Sequence, residues 1–422
     1  MSNRHSVPVC IVFLFVISLL GSLSGCLDRE MVAGDQYACD YMKATDPSTG
    51  QLYDPETTKR PSPKPIIKRV EFTDEGEVVD RCQWSDALFE VRGLPSNGKR
   101  NSKLIVLYIH GWKHDGSPDD QDLLQFTELV RELDEAEGAR EESRDVVGIF
   151  VAWPGKALSV PVLDNLSFWS RKGGADRVSA AGNVTKFISS VNNVSRQQGS
   201  KEDFIVGIGH SFGGRILYSS VSPVLLHAIA MSHPGERFGT YGEVRGSVDL
   251  TVLLNPAFEA SRYTAIDASR RPQEKFSNTQ QPLLLSVSTE NDSATRFAFP
   301  VGQVMGTRWK ERERTTLGNY EPYRTHHLSH SEGVLPARGV WYDSFCESGL
   351  CLAKDDPIMG YPFLVAKTDA SVLDGHNGIW SPSFRKWLTD FIEITSDKRI
   401  VKPYTPLKLR GCLPLGEICK LP

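Results

Sequence analysis

An α/β fold, with a mostly parallel sheet and helices on both faces, is what this sequence predicts, and three observations predict it. Short continuous apolar runs such as Leu104–Ile109, Val146–Trp153 and Leu250–Leu254 read as strands buried on both faces. Between them lie segments with apolar residues at helical spacing, for example Leu123, Leu124, Phe126, Leu129, Val130 and Leu133. The two kinds alternate along most of the chain, which calls for parallel pairing with crossover helices. The 422 residues, 40% hydrophobic and 24% charged, supply a sizeable core and exclude wholesale disorder. A net charge of −4 offers no field for a phosphate backbone, so no nucleic-acid partner is expected. No run of 18 apolar residues occurs away from the N-terminus, which argues against a multi-span membrane protein.

The first 25 residues read as an address rather than as fold. A basic start, Met1–Arg4, precedes the apolar stretch Val7–Leu20, the pattern of a secretory signal. Leu23-Ser24-Gly25-Cys26 resembles the bacterial lipobox, which implies lipidation of Cys26 as the mature N-terminus. Acyl chains there would anchor the protein, at about 0.8 kcal/mol per buried CH₂. Leu27, not Asp, follows the cysteine and favours outer-membrane sorting. An exported protein, lipid-anchored to the bacterial cell envelope, is the expected localisation. Of eight cysteines, six remain beyond Cys10 and Cys26. An even set in an exported chain suggests disulfides. Local spacing favours Cys346–Cys351 and Cys412–Cys419, leaving Cys39 with Cys82.

Residues 26–65 are polar and proline-rich and read as a tether. Ile66–Phe72 and Val78–Val91 read as two N-terminal strands joined at Asp74-Glu75-Gly76 as a hairpin. Leu104–Ile109 is the next strand, and Asp120–Leu133 a helix. Val146–Trp153 is a strand, and Ala175–Gln197 one helix. Phe204–Ile208 is a strand followed by a helix over Gly213–His227. Leu250–Leu254, Leu283–Val287 and Phe363–Lys367 are the remaining strands, and Ser383–Ile394 is the closing helix. Residues 66–396 thus form one domain, followed by a disulfide-bearing tail over 397–422. Between the last two strands, 301–360 interrupts the alternation as a long, cap-like insertion, and loops of that length are usually functional.

Gly209-His210-Ser211-Phe212-Gly213 fits G-x-S-x-G and lies between a strand and a helix. That context is what a nucleophile elbow needs: small residues allow the tight turn, and the helix N-terminus favours an oxyanion. Gly207, Gly209 and Gly213 also resemble a dinucleotide loop. That motif wants an acid about 20 residues on, ending the next strand, and the next strand here starts about 40 residues later. A structural glycine-rich turn is the remaining alternative to the nucleophile elbow. A serine nucleophile needs a base and an orienting acid. Asp292 follows the strand Leu283–Val287 and is the candidate acid, with Glu290 as alternative. Of ten histidines, only His326, His327, His330 and His376 come after Asp292. His376, between Gly375 and Gly378 and ahead of the last helix, is the candidate base. The histidine cluster at 326–330 has no spaced carboxylate and no His-Glu-x-x-His, so neither metal nor cofactor is expected. His110-Gly111-Trp112 follows a buried strand, placing the Trp112 and Phe212 amides as candidate oxyanion donors.

Together these motifs resemble the α/β-hydrolase superfamily, in its Gly-His-Ser-x-Gly esterase and lipase branch. The resemblance covers roughly 66–394. It implies hydrolysis of a small-molecule or lipid carboxylic ester through Ser211, His376 and Asp292. Amide, peptide or acyl-transfer chemistry uses the same residues, and a non-catalytic envelope binding protein on this fold is a further alternative.

Overall fold

The computed structural model describes residues 64–93, 100–155, 164–197, 203–233, 241–270, 276–277, 279–299, 310–331, 344–355 and 361–397. The expected signal, Cys26, the tether up to residue 63, Cys39 and the tail from residue 398 on, with Cys412 and Cys419, lie outside them. Among the described residues no helix is long and apolar enough to cross a membrane.

Ten strands form one sheet. They are β1 (Ile66–Glu71), β2 (Lys103–Ile109), β3 (Asp145–Ala152), β4 (Phe204–His210), β5 (Leu250–Leu254), β6 (Leu284–Thr289), β7 (His326–His330), β8 (Ser344–Glu347), β9 (Leu350–Lys354) and β10 (Phe363–Thr368). Their spatial order is β1-β3-β2-β4-β5-β6-β10-β7-β9-β8. Every pairing from β1 to β7 is parallel, and only β7–β9 and β9–β8 are antiparallel. The main helices are α1 (Arg81–Arg92), α2 (Gln121–Gly138), α3 (Asp164–Ala180), α4 (Asn183–Gln197), α5 (Phe212–Ser232) and α6 (Pro382–Ser396).

Side-chain alternation along the central strands splits the core into two layers. On β2, Ile105, Leu107 and Ile109 join Val91 of α1, Val178 of α3, Phe187 of α4 and Ile216 of α5. The intervening Leu104, Val106 and Tyr108 join Phe126 and Leu129 of α2 and Phe384 and Trp387 of α6 on the opposite face. The seven residues of β2 are all buried, as are the seven of β4, which matches their unbroken apolar runs.

Three expectations are corrected. The N-terminal hairpin is absent: β1 pairs parallel with β3, and Val78–Val91 is mostly helix α1. The turn at Asp74-Glu75-Gly76 does form, with Gly76 at φ +77°, but it closes a single bridge between Phe72 and Val78. Asp80 then caps α1 by accepting from the Cys82 amide at 2.7 Å. Trp84, Ala87, Leu88 and Val91 recur at 3, 4 and 7 residues, the helical period that outweighed the strand reading. Second, the helix expected over Ala175–Gln197 is two, α3 and α4, because Gly182 at φ +74° breaks the path between them. Third, the stretch 301–360 contributes strands, which sequence alone did not reveal. β7, β9 and β8 extend the sheet beyond β10. A disulfide joins the register-paired Cys346 and Cys351 across β8 and β9, and Cys82 is also disulfide-bonded.

Candidate active site

Ser211 is the turn between β4 and α5. Its backbone sits at φ +54°, ψ −118°, outside the regions open to most side chains, at a cost of about 1–3 kcal/mol. The strain is held by close backbone packing that only glycine permits. A Cβ on Gly209 would lie 2.7 Å from the Gly214 Cα, and one on Gly213 only 2.0 Å from the Ile109 carbonyl oxygen. The Ser211 amide donates to the Leu254 carbonyl at 3.0 Å, and the Ser211 carbonyl accepts from the Ala257 amide at 3.0 Å. The hydroxyl thus stands at the N-terminus of α5, whose first amides have no partner within the helix.

Asp292 lies just past β6 and His376 in the loop between β10 and α6, so parallel neighbours deliver both to the same edge of the sheet as Ser211. Ser211 Oγ–H donates to His376 Nε2 at 2.7 Å, and His376 Nδ1–H donates to Asp292 Oδ2 at 2.7 Å. A carboxylate only accepts, so this bond fixes the imidazole tautomer. Ser211 and Asp292 are fully buried, while the His376 side chain is 12% exposed. Burial pushes the Asp292 carboxyl up. His376 and the Thr295 hydroxyl and amide outweigh that and hold it below its ordinary value. Glu290, the alternative acid, is exposed and is not brought to His376; its carbonyl accepts from Arg296.

The loop carrying Trp112 passes beside Ser211, since a Cβ on Gly111 would lie 2.9 Å from the Ser211 Cβ. His110 holds that loop. Its Nε2 accepts from the Trp153 amide at 3.1 Å, while its carbonyl accepts from the Trp153 indole at 2.9 Å. Burial pushes the His110 imidazole down, toward the neutral form these bonds require. Phe212, the other candidate donor, is the first residue of α5 and fully buried.

Sequence reasoning missed the side chains that hold the acid and histidine loops. Asn255 Nδ2 donates to the His376 carbonyl at 2.9 Å, and its Oδ1 accepts from the Thr289 amide at 3.0 Å. His210 Nε2–H donates to the same His376 carbonyl at 3.0 Å. Asn291 accepts from the Gly375 amide and donates to Asp374, each at 2.9 Å. Thr295 Oγ–H donates to Asp292 Oδ2 at 2.6 Å, while the Ala294 and Thr295 amides serve Oδ1. The one local signal was Asn255-Pro256, a turn dipeptide directly after a strand.

The histidines at 326–330 do not converge. His326 Nδ1 meets the Thr325 hydroxyl, His327 bonds Asp355, and His330 reaches the Ser371 carbonyl. Among the described residues no three His, Cys, Asp or Glu side chains are grouped as metal ligands.

No protein-family model matches this chain, and no curated protein matches it. Among solved structures it is similar to esterase B from Lactobacillus rhamnosis, at 13% identity and a TM-score of 0.27. A C6-C4 inhibited form is covered over 81% of its length and the strain HN001 structure over 79%; each match takes in 72% of this chain. Likeness that distant adds no argument about chemistry. The parallel sheet, the strand–turn–helix at Ser211 and the histidine loop behind the last parallel strand make this an α/β-hydrolase fold.

Proposed function

We propose that this protein is a serine hydrolase of carboxylic esters. One observation carries the reading: an unbroken hydrogen-bonded line from the Ser211 hydroxyl through His376 to the buried Asp292, with the hydroxyl at a helix N-terminus. Ser211 Oγ attacks the ester carbonyl carbon as His376 Nε2 takes its proton. Asp292 keeps Nδ1 protonated and offsets the imidazolium charge. The Trp112 and Phe212 amides receive the tetrahedral oxyanion, each such donor contributing about 10²–10³-fold in rate. The leaving alkoxide takes the proton from His376, and water then releases the acid from Ser211 by the same route in reverse. The insertion at 301–360 is the proposed source of substrate selection, and lipidation at Cys26 the proposed tie to the envelope.

A fluorophosphonate probe combined with p-nitrophenyl butyrate turnover tests this. The wild type should label and turn over, and Ser211→Ala should do neither while keeping its fold. A labelled Ser211→Ala protein would remove Ser211 from the reaction. Cys26→Ser should leave membranes or stay unprocessed; full processing with unchanged partitioning would end the anchor reading.

A further inference from the structure

We infer that the insertion between β6 and β10 reaches into the site as a positioning arm, in which Asn319, held by Lys367 of β10, sets the direction of the Thr295 hydroxyl and so the orientation of Asp292. The inference rests on the hydrolase reading.

Asp292 Oδ2 accepts two hydrogen bonds, one from His376 Nδ1 at 2.7 Å and one from Thr295 Oγ at 2.6 Å. A hydroxyl has one proton and can point either way. What points it at Asp292 is Asn319 Nδ2, which donates to Thr295 Oγ at 3.2 Å and leaves that oxygen's proton free for the carboxylate. An amide can itself be turned over. Here its direction is set by Lys367 Nζ, which donates to Asn319 Oδ1 at 2.6 Å. A charged ammonium donates only, so a flipped amide would face it with N–H against N–H and would also take the Thr295 proton away from Asp292. Donor polarity therefore runs one way from Lys367 through Asn319 and Thr295 to Asp292.

The arm is seated on the sheet. Asn319 ends the short 3₁₀ turn Leu317–Asn319, with Leu317 in the core. A Cβ on Gly318 would lie 1.9 Å from Ser288 Oγ, so the turn rests directly on β6. Asn319 Nδ2 also donates to Thr316 Oγ at 2.9 Å, and Lys367 Nζ to the Thr289 carbonyl at 3.2 Å.

The arrangement carries a pH dependence. Burial pushes the Lys367 ammonium down to about 8, against the raising effect of Glu290 and Asp292 and with the lowering effect of Arg296 and Arg324. On β7 its register neighbour His327 is turned to Asp355, and on β6 its neighbour is the neutral Ser288. A neutral Lys367 amine can accept as well as donate, so the fixed direction of Asn319 is lost as pH rises through 8.

Steady-state p-nitrophenyl butyrate kinetics on the full-length protein from pH 6 to 10, with fluorophosphonate labelling alongside, test the arm. Asn319→Asp keeps shape and pairs with Lys367, but its carboxylate turns the Thr295 proton away from Asp292. It should lower kcat about tenfold with KM within twofold. The wild type should lose two- to threefold in kcat through a step near pH 8. Lys367→Met should start at the lower level with that step absent, and Lys367→Arg should restore most of the loss without the step. Thr295→Ser should likewise recover most of what Thr295→Val loses. An active wild type whose kcat and pH profile are unchanged by Asn319→Asp or by Lys367→Met overturns the arm while leaving the hydrolase reading intact. A wild type that neither labels nor turns over overturns the hydrolase reading, and the arm with it.

Discussion

Around Ser211 the constraint is backbone packed against backbone; around His376 and Asp292 it is hydrogen bonding that involves side chains. Ser211 holds a strained conformation because β2, β4 and α5 approach so closely at Gly209 and Gly213 that no Cβ fits. Its own side chain contributes nothing to that turn, since it makes no capping bond to α5. The loops of the other two residues lack such crowding. A Cβ on Gly375 would meet nothing within 4 Å. Instead the His376 carbonyl is held by Asn255 and His210, and the Asp292 carboxylate by Thr295 and two amides. The contrast teaches where each kind of damage should appear. Steric changes near Ser211 should cost stability, whereas isosteric polar changes near His376 should cost rate and leave stability almost untouched.

The largest effect expected is on rate. Asp292→Asn should lower kcat about 10⁴-fold, because an amide no longer enforces the Nδ1–H tautomer. Its urea midpoint should stay close to that of the wild type, and Glu290→Gln should stay within about twofold in kcat. Equal losses in both variants would mean that field strength at this edge, not the bond to His376, is what matters. Next comes Gly213→Ala. The new methyl must displace the Ile109 and His110 carbonyls, so a loss of about 3 kcal/mol in urea unfolding is expected. A stable Gly213→Ala protein would break the comparison on its steric side.

Asn255 tests the other side. It sits at φ +42°, so Asn255→Gly removes the side-chain bonds without adding backbone strain. About a tenfold loss in kcat with little change in unfolding midpoint is expected; the reverse pattern would make Asn255 a structural residue only. The smallest effect lies away from both regions. Glu393 on α6 is partly buried, its Oε1 lacks a hydrogen-bond partner, and burial with Glu137 nearby pushes its carboxyl up to about 7. Unfolded, it titrates near 4.3. Between those values the folded state binds the extra proton, so stability is fullest below about pH 4 and falls as pH rises through 7. Glu393→Gln should therefore gain about 1 kcal/mol over the wild type at pH 8, after allowance for partial exposure, and nothing at pH 4. A gain independent of pH would assign the effect to packing.

Much of this was legible because it is local. Buried strands announce themselves as unbroken apolar runs, and β2, β3, β4 and β5 fall within a residue or two of where those runs lie. Ser211 was legible from its glycines, and Asp292 and His376 from chain order and from following strands. Val78–Val91 was misread because a turn signal and apolar content suit both a hairpin and a helix start, and only the spacing of Trp84, Ala87, Leu88 and Val91 separates them. β7, β8 and β9 escaped notice because four- and five-residue strands such as Ser344–Glu347 carry too few alternations to stand out.

The sequence by itself determined the α/β class, the elbow at Ser211, and a choice of two acids for one histidine. Periodicity and glycine placement act within a few residues, and these features need nothing more. The tertiary structure alone decided between Asp292 and Glu290 as the neighbour of His376, since the two differ by which side of one turn faces inward. It alone laid the insertion against β10 and brought Asn319, Thr295 and Lys367 into one hydrogen-bonded line. Thr295, Asn319 and Lys367 are 24 and 48 residues apart in turn. Side-chain hydrogen bonds form wherever the sheet register places their partners, and register is a property of the assembled strands rather than of any one segment.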